Sequence, residues 1–340
     1  MKKTIAIVTT LAMSAALCTV PVYAKENENE EISIGFALKT LEEERWQNEV
    51  KYLEQEAEAN GVNIDIQCAN GDADKQISQI ENMVTNGVDV IMVCCVDDGA
   101  LANVLNDAHE QGVLIVSYDD NLSNTWIDAY VGYDPYEVGL AISEAVLQEA
   151  KPGNYAFLYG DKGSGLTVNQ FAQGMKDTLQ PLFDEGKAEM VMEQYCTGWK
   201  PENAMAHVEN LISNYGTDIA AVVCMNDGTA SGAIQALEAA GIAGDVLVTG
   251  MDGDLTACQR IVQGTQISTV FKNPARLAKA AVETSIKIVK GEELDTDATA
   301  NFGKNDCPWV KVGFDIVTKD TVDDVMIDTG VFTHEEVYGE

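Results

Sequence analysis

Four apolar runs in this chain each lead into polar residues able to grip a polyhydroxylated molecule. Gly35-Phe36-Ala37-Leu38 leads to Arg45-Trp46-Gln47, and Ile115-Val116-Ser117-Tyr118 leads to Asp119-Asp120. Val222-Val223-Cys224-Met225 runs into Asn226-Asp227, and Val248-Thr249-Gly250-Met251 into Asp252. A hydroxyl both donates and accepts, so carboxylates, amides and guanidinium groups bond to it directionally, while aromatic rings cover the apolar C–H faces of a ring. In an open parallel α/β sheet, ligands sit outside the carboxyl ends of the strands, so clusters far apart in sequence can converge on one cleft.

The elements that must position these clusters alternate regularly. Apolar runs at 32–38, 62–69, 88–93, 113–118, 155–159, 220–224 and 246–250 read as strands. Between and after them, residues 46–60, 74–85, 100–110, 135–149, 168–182, 201–213 and 274–290 carry helical patterning. Such alternation predicts right-handed βαβ units and parallel sheets. The ~316 residues beyond position 24 exceed the size at which one core keeps growing, so two lobes are expected.

A weak internal repeat sharpens this picture. Asp98-Gly99-Ala100 opens a helix that ends near Gly112 and leads through a strand to Asp119; Asp227-Gly228-Thr229 opens one that ends near Gly241 and leads to Asp252. Two lobes built on one unit place Asp119 and Asp252 at equivalent strand ends, facing each other across the cleft. Capping of the helix is the expected role of Asp98, and for Asp227 capping and a site role are both open.

The first residues speak to compartment. Lys2-Lys3, an apolar stretch from Ile5 to Cys18 and the small-x-small triplet Val22-Tyr23-Ala24 read as a signal peptide over 1–24, followed by a polar, disordered lead-in at 25–30. The chain is therefore expected to be exported to the periplasm or cell envelope; Cys18 in Ala15-Ala16-Leu17-Cys18 offers an alternative, lipid-anchored reading, against which Leu17 stands. A net charge of −34 excludes nucleic acid and disfavours an anionic membrane surface as partner. Of eight cysteines one is Cys18, no C-x-x-C pair occurs, and Cys94, Cys95 and Cys224 lie in apolar runs; buried free thiols are expected, with no disulfide framework or zinc site.

Several strings are more specific. Glu44-Arg45-Trp46-Gln47, Gln76-Ile77-Ser78-Gln79-Ile80-Glu81-Asn82-Met83, Gly198-Trp199-Lys200-Pro201-Glu202-Asn203-Ala204 and Ser231-Gly232-Ala233-Ile234-Gln235-Ala236-Leu237 resemble the periplasmic D-xylose-binding proteins and their close monosaccharide-binding relatives, over essentially the whole chain after the leader. The resemblance implies an α/β, two-lobed type I periplasmic binding protein fold. Each lobe is a parallel sheet flanked by helices, and three hinge crossovers join them. The lobes expected are 31–132 plus 273–302 and 133–272 plus 303–340. It implies a monomer, without cofactor or metal, that closes on a monosaccharide and delivers it to a membrane ABC permease, in some members also to a chemoreceptor. D-xylose is the first choice, with glucose, arabinose, ribose, galactose or an amino sugar as alternatives.

By the same resemblance Trp46 and Trp199 are the stacking pair, one from each lobe, and Arg45, Asp119, Asn226, Asp252 and Lys272 bind hydroxyls. Core packing is the competing role for the tryptophans, and a solvated helix-entry position for Lys272. The chain also departs from its relatives. Asp120 stands where they often have arginine, and Lys39 where they commonly have an acid, which raises a charge exchange within the cleft. The family's paired asparagines are not in register, leaving Thr167 or Asn169 to supply that contact. A site built around a hydroxyl discriminates strongly against an analogue lacking it, so these departures bear on which sugar is bound.

An enzyme is not expected. No Gly-x-Ser-x-Gly, His-Glu-x-x-His or Walker string is present, and Gly160-Asp161-Lys162-Gly163-Ser164-Gly165 lacks phosphate-loop spacing. His109, His207 and His334 are far apart. Paired aspartates could serve a glycosidase, the remote alternative. A sugar-responsive repressor would need a basic DNA-binding headpiece, which is missing, and no export signal.

Overall fold

The computed structural model describes residues 31–339. The expected signal peptide, the lead-in and Cys18 lie outside them. The first half runs β1 (Ser33–Leu38), α1 (Glu44–Asn60), β2 (Asn63–Cys68), α2 (Ala73–Thr85), β3 (Val90–Val93), α3 (Asp98–Glu110), β4 (Leu114–Tyr118) and β5 (Ala129–Gly132). Next come α4 (Pro135–Gln148), β6 (Gly153–Tyr159), α5 (Gly165–Asp184), β7 (Ala188–Tyr195), α6 (Pro201–Tyr215), β8 (Ile219–Cys224), α7 (Asp227–Ala239), β9 (Leu247–Met251), α8 (Leu255–Gln263) and β10 (Ser268–Phe271). The chain ends in α9 (Pro274–Val289), β11 (Thr299–Ala300), β12 (Cys307–Lys311), β13 (Asp315–Thr318) and α10 (His334–Tyr338).

These strands form two sheets, ordered β11-β12-β5-β4-β3-β1-β2 and β13-β10-β9-β8-β6-β7. Every pairing is parallel except β11 with β12 and β10 with β13. Helices cover both faces, which is why β3 and β8 are apolar and buried at every residue instead of alternating. The turns into the helices are written locally. Asp72, Asp97, Asp134 and Asn273 cap α2, α3, α4 and α9, and Pro135 and Pro274 occupy the first helical turn. The cap of α3 is thus Asp97, one residue before the expected Asp98, whose carboxylate instead accepts from the Ser123 hydroxyl at 2.7 Å.

The chain passes between the sheets after β5, after β10 and after β12. The last passage corrects an expectation. Residues 303–311 are expected in the second lobe, yet β12 joins the first sheet, with Trp309, Val310 and Lys311 opposite Tyr130, Val131 and Gly132. The cause is the open edge of β5, which β12 completes: the Trp309 ring packs 5.3 Å from that of Tyr130, and its indole N–H donates to the Gly132 carbonyl at 3.1 Å. The crossing therefore follows Lys311.

Candidate functional site

The polar clusters all emerge at carboxyl ends of strands: Lys39 directly after β1, Asp119 and Asp120 after β4, Asn226 two residues after β8, Asp252 after β9 and Lys272 after β10. Asp119 and Asp252 are equivalent, as the internal repeat predicts. Each has positive φ, 62° and 110°. Each donates its backbone N–H to the neighbouring strand, Asp119 to Val131 O at 3.0 Å and Asp252 to Val270 O at 2.8 Å. Non-glycine residues adopt such backbone only where the surroundings enforce it; here it turns both carboxylates to one point.

That point is Arg45. Its guanidinium donates to Asp119 at 2.9 Å, to Asp252 at 3.3 Å and to Glu49 at 3.0 Å, so one side chain of the first lobe bridges aspartates of both lobes. Lys272 donates to the same Asp119 oxygen at 2.9 Å. All five groups are buried, which is tolerable for charges only when they are paired. Burial alone would raise the Asp119 carboxyl, but Arg45 and Lys272 hold it well below the usual carboxylate range. Asp252 is displaced upward by burial, against the pull of Arg45 and Lys272. Arg45 keeps its Nε buried without a protein partner, so one donor of this hub is uncommitted.

The tryptophans complete the cleft. Trp46 is buried beneath Arg45, whose guanidinium carbon lies 4.2 Å from its ring centroid, and its indole N–H donates to Glu43 at 3.1 Å. Trp199 stands in a turn shaped by positive φ at Gly198 (67°) and at Trp199 itself (58°), with its indole N–H 3.4 Å from the Ser164 hydroxyl. The Lys39 ammonium lies 5.0 Å from the Trp46 centroid and 5.7 Å from the Trp199 centroid, so rings from both lobes border one small volume. Toward solvent this volume continues as a pocket of about 490 Å³ lined by Lys39, Glu43, Asn70, Asp161, Trp199 and Lys200 among others.

The two departures meet each other. Lys39 donates to Asp120 at 3.0 Å, and the Cys94 thiol approaches the same carboxylate oxygen at 3.3 Å. Burial would lower the Lys39 ammonium, but Asp120 together with its other neighbours holds it well above its ordinary value. Asn226, not Asp227, caps α7: its side-chain oxygen accepts from Thr229 N at 2.9 Å, which leaves the amide NH₂ directed to Glu43 at 3.5 Å. Asp227 is instead a buried support for the Asp252 turn. It accepts from Gly253 N at 2.9 Å, Asp254 N at 3.0 Å, Gln266 at 2.8 Å and Thr269 at 2.8 Å.

Thr167 is buried, and its hydroxyl accepts from Asn121 N at 2.8 Å, so it braces the backbone after Asp120 from the other lobe. Asn169 is exposed on α5, and no contact ties it to the cluster among the described residues. The helical period explains the split: Thr167 and Asn169 are two residues apart and so lie on different sides of α5. Two glutamates were not anticipated. Glu49 lies four residues after Arg45, a spacing that places both on one helix face, and it also accepts from the Tyr118 hydroxyl. Burial pushes the Glu49 carboxyl up to about 7 against the pull of Arg45. Glu43 joins Trp46 of its own lobe to Asn226 of the other. The described cysteines are free, and all but Cys68 are buried. Among the described residues no group of His, Cys, Asp and Glu is arranged to hold a metal ion.

The chain as a whole has clear relatives. A periplasmic binding protein domain model matches residues 34–293. The D-xylose-binding periplasmic protein of Escherichia coli is 36% identical over 331 residues, covering 97% of this chain and 98% of that one. That of Haemophilus influenzae is 34% identical, covering 93% and 95%. Among solved structures, an ABC transporter solute binding protein from Clostridium phytofermentans with bound β-D-glucose superposes with a TM-score of 0.82 at 27% identity, covering 90% of this chain and 99% of that one. One from Actinobacillus succinogenes with bound D-allose gives 0.75 at 25% identity, with 86% and 100% covered.

Proposed function

From the premise that the chain belongs to the periplasmic binding protein family, we propose that it captures D-xylose between its lobes and hands it to a membrane ABC permease. The observation that carries the reading is the convergence of Arg45, Asp119, Asp252 and Lys272 beside Trp46 and Trp199, with the Arg45 Nε donor uncommitted. Charged planar groups suit the hydroxyl edge of a pyranose, and indoles suit its faces. Capture is hinge closure about the three crossovers: a sugar lying on one lobe offers hydroxyls to Asn226, Asp252 and Trp199 on the other, and so favours the closed state by its differential contacts. The protein acts as an exported, non-enzymatic monomer, and its closed form is the one a permease, or a chemoreceptor, would recognise.

A hexose is the second reading. It is favoured by the Lys39–Asp120 pair, which puts a donor and an acceptor at two positions where the family resemblance implies that relatives often carry the opposite charges, and by the glucose held in the Clostridium phytofermentans neighbour. A thermal-shift screen of D-xylose, arabinose, ribose, glucose, galactose and amino sugars on the mature chain tests both, since a ligand that binds only the native state raises its Tm. D-xylose is expected to give the largest shift. A larger shift with a hexose would transfer the assignment, and no shift with any of them would refute a sugar receptor.

A further inference from the structure

Asn121 follows directly on Asp119 and Asp120, and among the described residues both of its hydrogen bonds cross to the second lobe. Its backbone N–H donates to the Thr167 hydroxyl at 2.8 Å, and its side-chain amide donates to Gln170 Oε1 at 3.0 Å. Thr167 and Gln170 are three residues apart on α5, a spacing that puts both acceptors on one side of the helix. Asn121 is 1% exposed, and its amide oxygen is buried without a partner among the described residues, so no hydrogen bond ties its side chain to its own lobe.

The backbone that carries its N–H is nevertheless held firmly from below. The Ser117 hydroxyl donates to the Asp120 carbonyl at 2.5 Å, and the Tyr130 hydroxyl donates to the Asp119 carbonyl at 3.1 Å. In a trans peptide the N–H points opposite to the C=O, so fixing the Asp120 carbonyl inside the first lobe aims the Asn121 N–H at the second. Nearby the lobes are in contact: a Cβ at Gly163, just ahead of α5, would lie 2.9 Å from the Val96 carbonyl oxygen.

We propose that Asn121 is a closure latch, a positioning residue that seats α5 on the Asp119-Asp120 turn and thereby sets how long the sugar stays. The inference rests on the monosaccharide reading given above. When the lobes part, water takes over the two Asn121 donors and their acceptors, so opening leaves no polar group of the seam unpaired. When they close on a sugar held by Asp119, the latch adds two short bonds one residue away. Two neutral bonds, each shifting an equilibrium by about two- to tenfold, do not shut the cleft alone. They form only after capture, so their effect falls on the dissociation rate and not on the encounter.

The test is stopped-flow tryptophan fluorescence with D-xylose, or the best sugar of the thermal-shift panel, on the mature wild type, Asn121→Ala, Gln170→Ala, the double variant and Thr167→Val. Asn121 does not have positive φ, so alanine can adopt its backbone. Asn121→Ala and Gln170→Ala should each raise koff about three- to tenfold and change kon less than about twofold. The double variant should match either single one within about twofold, because all three remove the same bond. Thr167→Val, which leaves the buried Asn121 N–H without an acceptor, should raise koff about 10- to 100-fold. The sugar-free Tm of Asn121→Ala and Gln170→Ala should stay within about 1 °C of the wild type, a readout that a merely structural bond would move. An unchanged koff in Asn121→Ala, additive effects in the double variant, or a lowered sugar-free Tm overturns the latch and leaves the sugar receptor standing. If the wild type binds no monosaccharide, the sugar reading falls and the latch falls with it.

Discussion

Gly160, the residue after β6, offers the most direct way to perturb the stacking ring without removing it. A Cβ built there would lie 2.1 Å from Trp199 Cη2 and 2.3 Å from Cζ2 and Cζ3, where ordinary contact begins near 3.4 Å. The obstacle is a rigid ring, so in Gly160→Ala the indole must retreat by about 1.3 Å, and the room available to it lies toward the cleft. That retreat narrows the space shared by Trp199, Trp46 and Lys39. The folded protein should lose only about 1–3 kcal/mol, the usual cost of one extra methyl in a packed site. Binding should weaken by about 10- to 100-fold, or roughly 1.4–2.8 kcal/mol. Calorimetry on Gly160→Ala, Trp199→Ala and the double variant separates the causes. Trp199→Ala alone should cost about 2 kcal/mol, and adding Gly160→Ala to it should change Kd less than about twofold, because the clash has lost its object. An equal effect of Gly160→Ala in both backgrounds, or an unchanged Kd in the folded single variant, would refute the placement of Trp199 against the sugar.

Two further outcomes follow from the charges. Asp120→Arg removes the acceptor held by Lys39 and sets two cations together, so it should change the ranking of Kd values among xylose, arabinose, ribose, glucose and galactose; an identical ranking would place Asp120 outside specificity. Asp119→Asn leaves Arg45 and Lys272 without their shared carboxylate and should cost about 3–5 kcal/mol in urea unfolding at pH 7. Because Asp119 is held below its ordinary value, its contribution is complete above pH 4 and is lost as pH falls further, so the variant should lose part of the acid limb of the wild-type stability profile; identical limbs would show that Asp119 is not held low.

Much of this site could be read from the residues, and the reasons differ from case to case. Asp119 and Asp252 were legible because a repeated helix–strand unit ends at each, and parallel sheets place strand ends together. Trp199 was legible through its Gly198-Trp199-Lys200-Pro201 setting, and the pairing of Lys39 with Asp120 through their joint departure from the family. Glu43 was not, because its partners lie 3 and 183 residues away and the longer contact depends on how the two lobes meet. Glu49 carried a usable signal, four residues from Arg45, that the pattern of strand ends overshadowed. β12 was missed because Gly303-Lys304-Asn305-Asp306 reads as loop and Pro308 interrupts the strand that follows; what makes it a strand is the vacant edge of β5, which no local pattern reports.

The distribution of these contacts explains why the lobes contribute unequally. Arg45, Glu49, Tyr118 and Asp119 belong to one lobe, with Lys272 at the crossover, and they hold one another through short, buried, charge-assisted bonds that do not require the second lobe. Between α1 and the second lobe the spacing is looser: 3.3 Å from Arg45 to Asp252, 3.5 Å from Glu43 to Asn226, 3.4 Å from Glu44 to Leu255 and 3.7 Å from Glu42 to Lys200, the short cross-lobe bonds being confined to Asn121, which donates to Thr167 at 2.8 Å and to Gln170 at 3.0 Å. A network already satisfied within one lobe is rigid before the sugar arrives and loses little entropy on binding, whereas long bonds across the mouth add little individually to closure. The free energy that closes the cleft must then come mainly from hydroxyls and a ring face shared between the lobes. That is what couples occupancy to shape in a receptor read by a second protein: if the glutamates alone held the lobes shut, closure would no longer report the sugar.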